Sequence, residues 1–199
     1  MIKTDESKTT ELSRKDKILR EATILFYHAG YDNTSIRELS EAAGISVAGI
    51  YYFFKDKEEI LFSILHQAIL ELASIIKTSI KTKDDPKVNI RRVVKNVLTH
   101  AIEHKMEIFI LNREDGRLNA SQKETIFNKR KDAFTLLKKE VSRLAEFGEL
   151  KTKSVSLAVF TIFSMTTWVV RWYDPNGAFT LEEIADNMTN DLLYGIVKS

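Results

Sequence analysis

The residues best suited to chemistry lie within 34–57, and the chemistry they suit is contact with a duplex polyanion. Lys55 and Lys57 follow an aromatic run and are placed to meet phosphates. Thr34 and Ser46 stand where helices should begin, and the free N–H groups of a helix start favour an anion. Arg37 is the only arginine near this surface, and its planar fork can bond guanine in two places. Ala48 and Gly49 are small enough for backbone to approach base edges, and a methyl such as that of Ala48 can meet a thymine methyl. Tyr52 and Phe53 would be large outward aromatics, costly unless a partner covers them.

Other constellations are weaker. His100 and His104 stand i, i+4 with Glu103 and Glu107 nearby, a spacing that can hold a metal on a helix. The glutamate that follows the first histidine in a zinc hydrolase is missing, and no third ligand is evident. A polar helix face is the better reading, and no metal is assigned. His28 and His66 are isolated and read as structural. No Ser/His/Asp set or Gly-rich phosphate loop stands out, which argues against an enzyme; no cofactor is expected.

The elements that must position these residues are helical. Pro (2) and Gly (7) are scarce in 199 residues, few segments alternate with period two, and apolar residues recur at three and four. Residues 1–12 are polar and read as frayed. Ser13, with Asp16, reads as the cap of a helix carrying Ile18, Ala22, Leu25 and Phe26, stopped by Gly30. Ser35 and Glu38 fit a capping box, Gly44 supplies a turn, and Ser46 caps the next helix. In that helix Val47, Ile50, Tyr51 and Phe54 share one face, read as buried, which leaves Ala48, Gly49, Tyr52 and Phe53 outward. The pattern is a helix-turn-helix, the device that lays a helix in the major groove.

A long helix follows from about Lys57, with Leu61, Ile64, Leu65, Ala68, Leu72, Ile75, Ile76 and Ile80 on one stripe. Asp85-Pro86 opens another, and Ser121 with Glu124 reads as the start of one that runs to Phe147-Gly148. Two more are expected at about 152–173 and 180–197, joined by the Asp174-Pro-Asn-Gly177 turn. The net charge of +2 is too small to argue for nucleic acid. Residues 1–57 hold nine Lys/Arg and nine Asp/Glu, so the case rests on placement of charge. Absence of Cys excludes disulfides and suits a reducing cytosol. No apolar leader is visible at the N-terminus, and the uncharged run 154–170 is short for a membrane span, so a cytoplasmic protein without a membrane partner is expected.

Gly30-Tyr31, residues 34–46 and the Gly49-Ile-Tyr-Tyr-Phe-Phe-Lys-Asp-Lys-Glu-Glu-Ile60 run resemble the N-terminal domain of the TetR/AcrR family of bacterial repressors. The likeness covers roughly residues 13–62. It implies an all-α chain of about nine helices: a three-helix head (13–56), then a larger helical domain (57–199) for ligand binding and dimerisation. It also implies a homodimer on a palindromic DNA operator. By that resemblance Arg37, Ala48, Gly49 and Tyr52 are base-side candidates. Thr34, Ser46, Tyr51 and Lys57 are phosphate candidates, Tyr51 with its ring buried and its hydroxyl on the backbone. The motif often has His where this chain has Tyr52, and Tyr where it has Phe53.

The Trp168–Gly177 segment followed by Leu181-Glu-Glu-Ile-Ala185 is similar to the tail of family members that respond to fatty acyl-CoA. Such a ligand needs an apolar tunnel with a cationic mouth. Val97, Ala101, Phe109, Phe127, Phe134, Phe163 and Trp168 are the lining candidates, and Arg91, Arg92, Arg130 and Arg171 the cationic ones. Core packing competes for each aromatic, and a solvated face for each arginine. The expectation is a repressor released by a small apolar effector. A helical lipid or CoA carrier and an effector-independent activator are the alternatives.

Overall fold

The computed structural model describes residues 3–148, 150 and 154–196. Within them lie nine α-helices: α1 (Lys3–His28), α2 (Ile36–Ala43), α3 (Val47–Phe53), α4 (Lys57–Ser79), α5 (Pro86–Glu103), α6 (Lys105–Arg113), α7 (Ala120–Glu146), α8 (Val155–Trp168) and α9 (Leu181–Ile196). The all-α architecture expected from the periodicity is the one found.

Each boundary in the head has a local cause. Ser35 accepts the Glu38 N–H while the Glu38 carboxylate accepts the Ser35 N–H, a reciprocal capping box at the start of α2. Gly44 ends α2 at φ 60°, a left-handed conformation that costs a residue with a Cβ roughly 1–2 kcal/mol. The Ser40 hydroxyl donates to the Ile45 carbonyl at 2.7 Å and closes the same turn. Ile18, Ala22, Phe26, Leu39, Ala43, Ile50 and Phe54 form the core of this head, all buried.

Asp56 caps α4 by accepting the Glu59 N–H at 2.8 Å. α4 is long and apolar enough to cross a membrane by length and composition, but its stripe from Ile60 to Ile76 is buried in the protein core. α5, opened by the Asp85 cap and Pro86, is the central helix of the larger domain and packs against α4, α7, α8 and α9. A buried polar network fixes its start. Asn89 Nδ2 donates to Glu140 Oε1 (2.8 Å) and the Lys81 carbonyl (2.8 Å). Arg143 donates to Glu140 (2.8 Å) and the Asp84 carbonyl (3.1 Å). Together these tie the α4–α5 loop to α7.

Four boundaries differ from expectation. α1 runs from Lys3, so Ser13 lies inside it and residues 3–12 continue the helix. His104, at φ −113° and ψ 40°, divides α5 from α6, a break that the periodicity did not mark. Asn119, not Ser121, caps α7 through the Gln122 N–H, because Asn is as good a cap and stands two residues nearer the preceding loop. α8 tightens into a 3-10 turn, Val169–Arg171, before Trp172. The expected start near 152 and end near 197 lie outside the described residues. The Thr180–Glu183 capping pair at α9 is present in both directions.

Candidate functional site: a nucleic-acid interface and an apolar cavity

α3 is a two-turn helix whose buried contacts run through Ile50 and its C-cap Phe54. Ser46 Oγ accepts the Gly49 N–H at 3.1 Å, so this side chain serves first as the cap. Outward stand Ala48 and Tyr52, the latter 70% exposed, with Phe53 half-buried and edge-on to the Tyr52 ring at 4.9 Å. Val47 and Tyr51 correct the expected inner face: they are 36% and 51% exposed. So short a helix touches its neighbours along one narrow line, and positions 47 and 51 fall on its flanks. The Tyr51 ring is therefore presented to solvent, which widens the aromatic outer surface.

Gly49 has a packing reason as well as the expected one. A Cβ there would lie 2.8 Å from Ile45 Cγ2 and 3.2 Å from Ser46 Oγ, so even alanine would displace the turn residues. Gly44, Ile45, Ser46, Gly49, Tyr52 and Phe53 line a groove of about 490 Å³ together with Arg14 of α1. Arg14 was missed in the sequence because a helix start at Ser13 left it at a terminus. Arg37 and Lys55 are exposed beside this surface.

Two expected phosphate contacts turn inward. Thr34 is buried, and its hydroxyl donates to the Gly30 carbonyl at 2.9 Å. Lys57 Nζ donates to the carbonyls of Tyr31 and Thr34, each at 2.8 Å, and lies 4.2 Å from the Tyr31 ring centroid. Burial pulls its ammonium below the ordinary lysine value. The α1–α2 turn leaves carbonyls without helical partners, and Lys57, first residue of α4, is the cation within reach of them.

The larger domain contains a cavity of about 690 Å³, within the usual range for ligand sites. Phe127, Phe134, Phe160 and Phe163 with Ile69, Leu72, Ile108 and Leu111 form its apolar wall, and Arg130, Lys131 and Lys138 its cationic side. Four expected residues are thus brought together: Phe127, Arg130, Phe134 and Phe163. Five are not. Val97 and Ala101 are buried in the core, because α5 is surrounded by four helices and its apolar side chains pack there. Phe109 packs edge-on to Tyr27 of α1 at 5.1 Å, joining head to body. Arg171 lies over both Phe109 (5.1 Å) and Trp168 (4.5 Å), a separate cluster from the cavity. Arg91 and Arg92 are engaged by Asn190 and Asp84. Lys131 and Lys138 were missed because an α7 lysine reads as a solvated face until its neighbours are known.

Cavity and head are joined by a short chain of polar contacts. Arg130 donates to Asp115 at 2.6 Å and to the Leu111 carbonyl at 2.7 Å. Two residues on, Arg117 pairs with Asp32 in the α1–α2 turn. That turn is the one Lys57 holds.

Comparison with known proteins agrees with this layout. Residues 18–64 match the family model described as bacterial regulatory proteins, tetR family, and residues 83–196 match the tetracyclin repressor-like C-terminal domain. The chain is 25% identical over 190 residues to the HTH-type transcriptional repressor KstR2 of Mycolicibacterium smegmatis, covering 94% of this chain and 92% of that protein. It is 26% identical over 187 residues to the fatty acid metabolism regulator protein of Bacillus subtilis, covering 90% and 94%. Among solved structures, the TetR family regulator PfmR of Thermus thermophilus superposes with a TM-score of 0.81 at 29% identity, covering 88% of this chain and 96% of that one. AibR, solved in complex with isovaleryl coenzyme A and operator DNA, shares the fold at TM-score 0.83 and 24% identity over 90% and 98%. The helix-turn-helix head, the long α4 and the matched C-terminal domain place the chain in the tetR family of bacterial transcriptional regulators.

Proposed function

We propose that this protein is a repressor that binds a palindromic operator as a homodimer and leaves it on binding a small amphiphilic effector of the acyl-CoA class. The observation that carries the reading is the cavity itself: an apolar wall of four phenylalanines facing Arg130, Lys131 and Lys138 suits an acyl chain ending in an anionic group. The names of the fatty acid metabolism regulator and of AibR with its CoA thioester point the same way.

On this reading Arg37, Ala48, Gly49 and Tyr52 face bases, and Ser46, Tyr51, Lys55 and Arg14 face the backbone, while Thr34 and Lys57 brace the head. A second copy completes the binder. Leu157, Thr161, Ser164 and Trp168 share one exposed face of α8, with small side chains at its centre that admit close approach of a partner helix. The dimer holds two α3 helices about 34–36 Å apart, one DNA turn. An effector whose anionic end takes Arg130 from Asp115 loosens the link through Arg117 to Asp32, and α4 tilts with the head. DNA as partner places the protein in the cytoplasm.

Native mass spectrometry of the purified protein, with saturated acyl-CoA and free CoA added in turn, tests the effector class. Acyl-CoA should bind one per chain and free CoA far more weakly. Equal binding of both would remove the apolar wall from the account.

A further inference from the structure

We propose that Glu71, His100 and His104 form a binding site for a divalent transition cation of the zinc class, clamping α4 to the α5–α6 junction. One ligand atom from each residue lies within 4.8 Å of the others. His100 Nε2 is 3.8 Å from Glu71 Oε2, and the two imidazole centroids are 4.4 Å apart. The sequence showed the histidine pair and lacked a third ligand; the fold brings it from the neighbouring helix α4.

The second, independent observation is the state of His100. Its side chain is 9% exposed, and its Nε2 is buried with no hydrogen-bond partner. An unpaired buried polar atom costs roughly 1–3 kcal/mol, and folded proteins keep few of them. Here the orphan nitrogen points into a cluster that offers an imidazole and a carboxylate. Gln67 Nε2 donates to Glu71 Oε1 at 2.6 Å and leaves Oε2 toward the histidines, the kind of outer contact that orients a ligating carboxylate.

A tetrahedral zinc ion with bonds of about 2.0–2.1 Å holds its ligand atoms about 3.3 Å apart. Closure therefore needs rotations of Glu71 and His104, both half-buried, that bring their ligand atoms about 1 Å or more closer. Two imidazoles and one carboxylate suit zinc, nickel or copper better than magnesium or calcium. The site sits beside the effector cavity in sequence: Leu72 follows Glu71, and Ile108 lies one turn beyond His104, and both line it. A bound cation would restrain the tilt of α4 that carries the head.

The test needs neither DNA nor effector, so it stands apart from the repressor reading. EDTA-treated, dialysed full-length protein is titrated with Co²⁺, followed by its visible absorption, and then challenged with Zn²⁺. One Co²⁺ per chain should bind and be displaced by Zn²⁺. His104→Ala and Glu71→Gln should each weaken binding by more than about 10-fold, and His66→Ala should leave it unchanged. Glu71→Gln keeps shape on a half-exposed helix position, so it remains informative if the histidine variant folds poorly. Absence of stoichiometric Co²⁺ binding, or equal binding by wild type and Glu71→Gln, overturns the site.

Discussion

The ammonium of Lys57 donates to the backbone carbonyl of Tyr31 and lies over the ring of the same residue, at 2.8 Å and 4.2 Å. This places the first residue of α4 as the fastener of the α1–α2 turn. The helix that leaves the head for the effector domain is thereby fixed to the head's own scaffold. On the proposed mechanism a change of α4 tilt would reach the α1–α2 turn through this contact, while Asp32–Arg117 ties the same turn to the α6–α7 connection.

Lys57→Ala should act as a structural lesion. Loss of hydrogen bonds from a charged donor costs about 1.5–3 kcal/mol. Urea denaturation of the variant should show that loss, and operator affinity should fall while its salt dependence keeps the wild-type slope. A slope flatter by about 0.9 would mean that Lys57 meets a phosphate after all.

Tyr31 supplies a pH test. Burial, with Glu58, Asp56 and Asp32 adding to it, raises its phenol from 10.0 to about 12. An acid whose folded value is raised holds its proton longer in the folded state. Stability from this group is therefore complete below pH 10 and is lost as pH rises from 10 toward 12. Ultraviolet titration should show one late tyrosinate, absent in Tyr31→Phe.

Arg37 and Arg14 should separate specificity from affinity. Arg37→Ala should relax preference at one base pair by about 1–3 kcal/mol. Arg14→Ala should weaken all sequences alike and reduce the salt slope by about 0.9. Binding-site selection with each variant distinguishes these; uniform loss for Arg37→Ala would make it a backbone contact.

Glu140→Ala should be the most destabilising of these changes. The carboxylate is buried between Asn89 and Arg143, and its removal takes one acceptor from each and leaves the Arg143 charge without its counter-ion. A cost of about 3–5 kcal/mol is expected by chemical denaturation. A cost under about 1 kcal/mol would show that the loop at 80–85 is held by other contacts.

Much of the head was legible because its signals are local. The Ser35–Glu38 box, Gly44, and the buried Ile50 and Phe54 each act within one turn of chain. Val47 and Tyr51 misled because i, i+3, i+4 spacing defines a helix face, while its burial depends on how far the neighbouring helices reach. The cavity was half legible. Phe127, Phe134 and Phe163 were found by apolarity alone, but the same criterion also picked Val97 and Ala101, since only packing around α5 tells core from lining. Glu71 could not be seen beside His100 because 29 residues of chain separate them, and a ligand from another helix has no local mark.

Arg130→Ala should uncouple the cavity. Loss of a charged hydrogen-bond partner should weaken an anionic effector about 10–100-fold, from a cost of about 1.5–3 kcal/mol, and operator affinity without effector should already be lowered, because the Arg130–Asp115 contact is gone. Calorimetry with acyl-CoA reads the first and gel shift the second.

The most direct measurement is operator affinity of the purified protein, by fluorescence anisotropy at fixed salt, with and without saturating acyl-CoA. The account predicts a twofold-symmetric footprint and a 5–150-fold loss of affinity when the effector is present, corresponding to about 1–3 kcal/mol of coupling. Equal affinity in the two conditions, with acyl-CoA demonstrably bound, would contradict it.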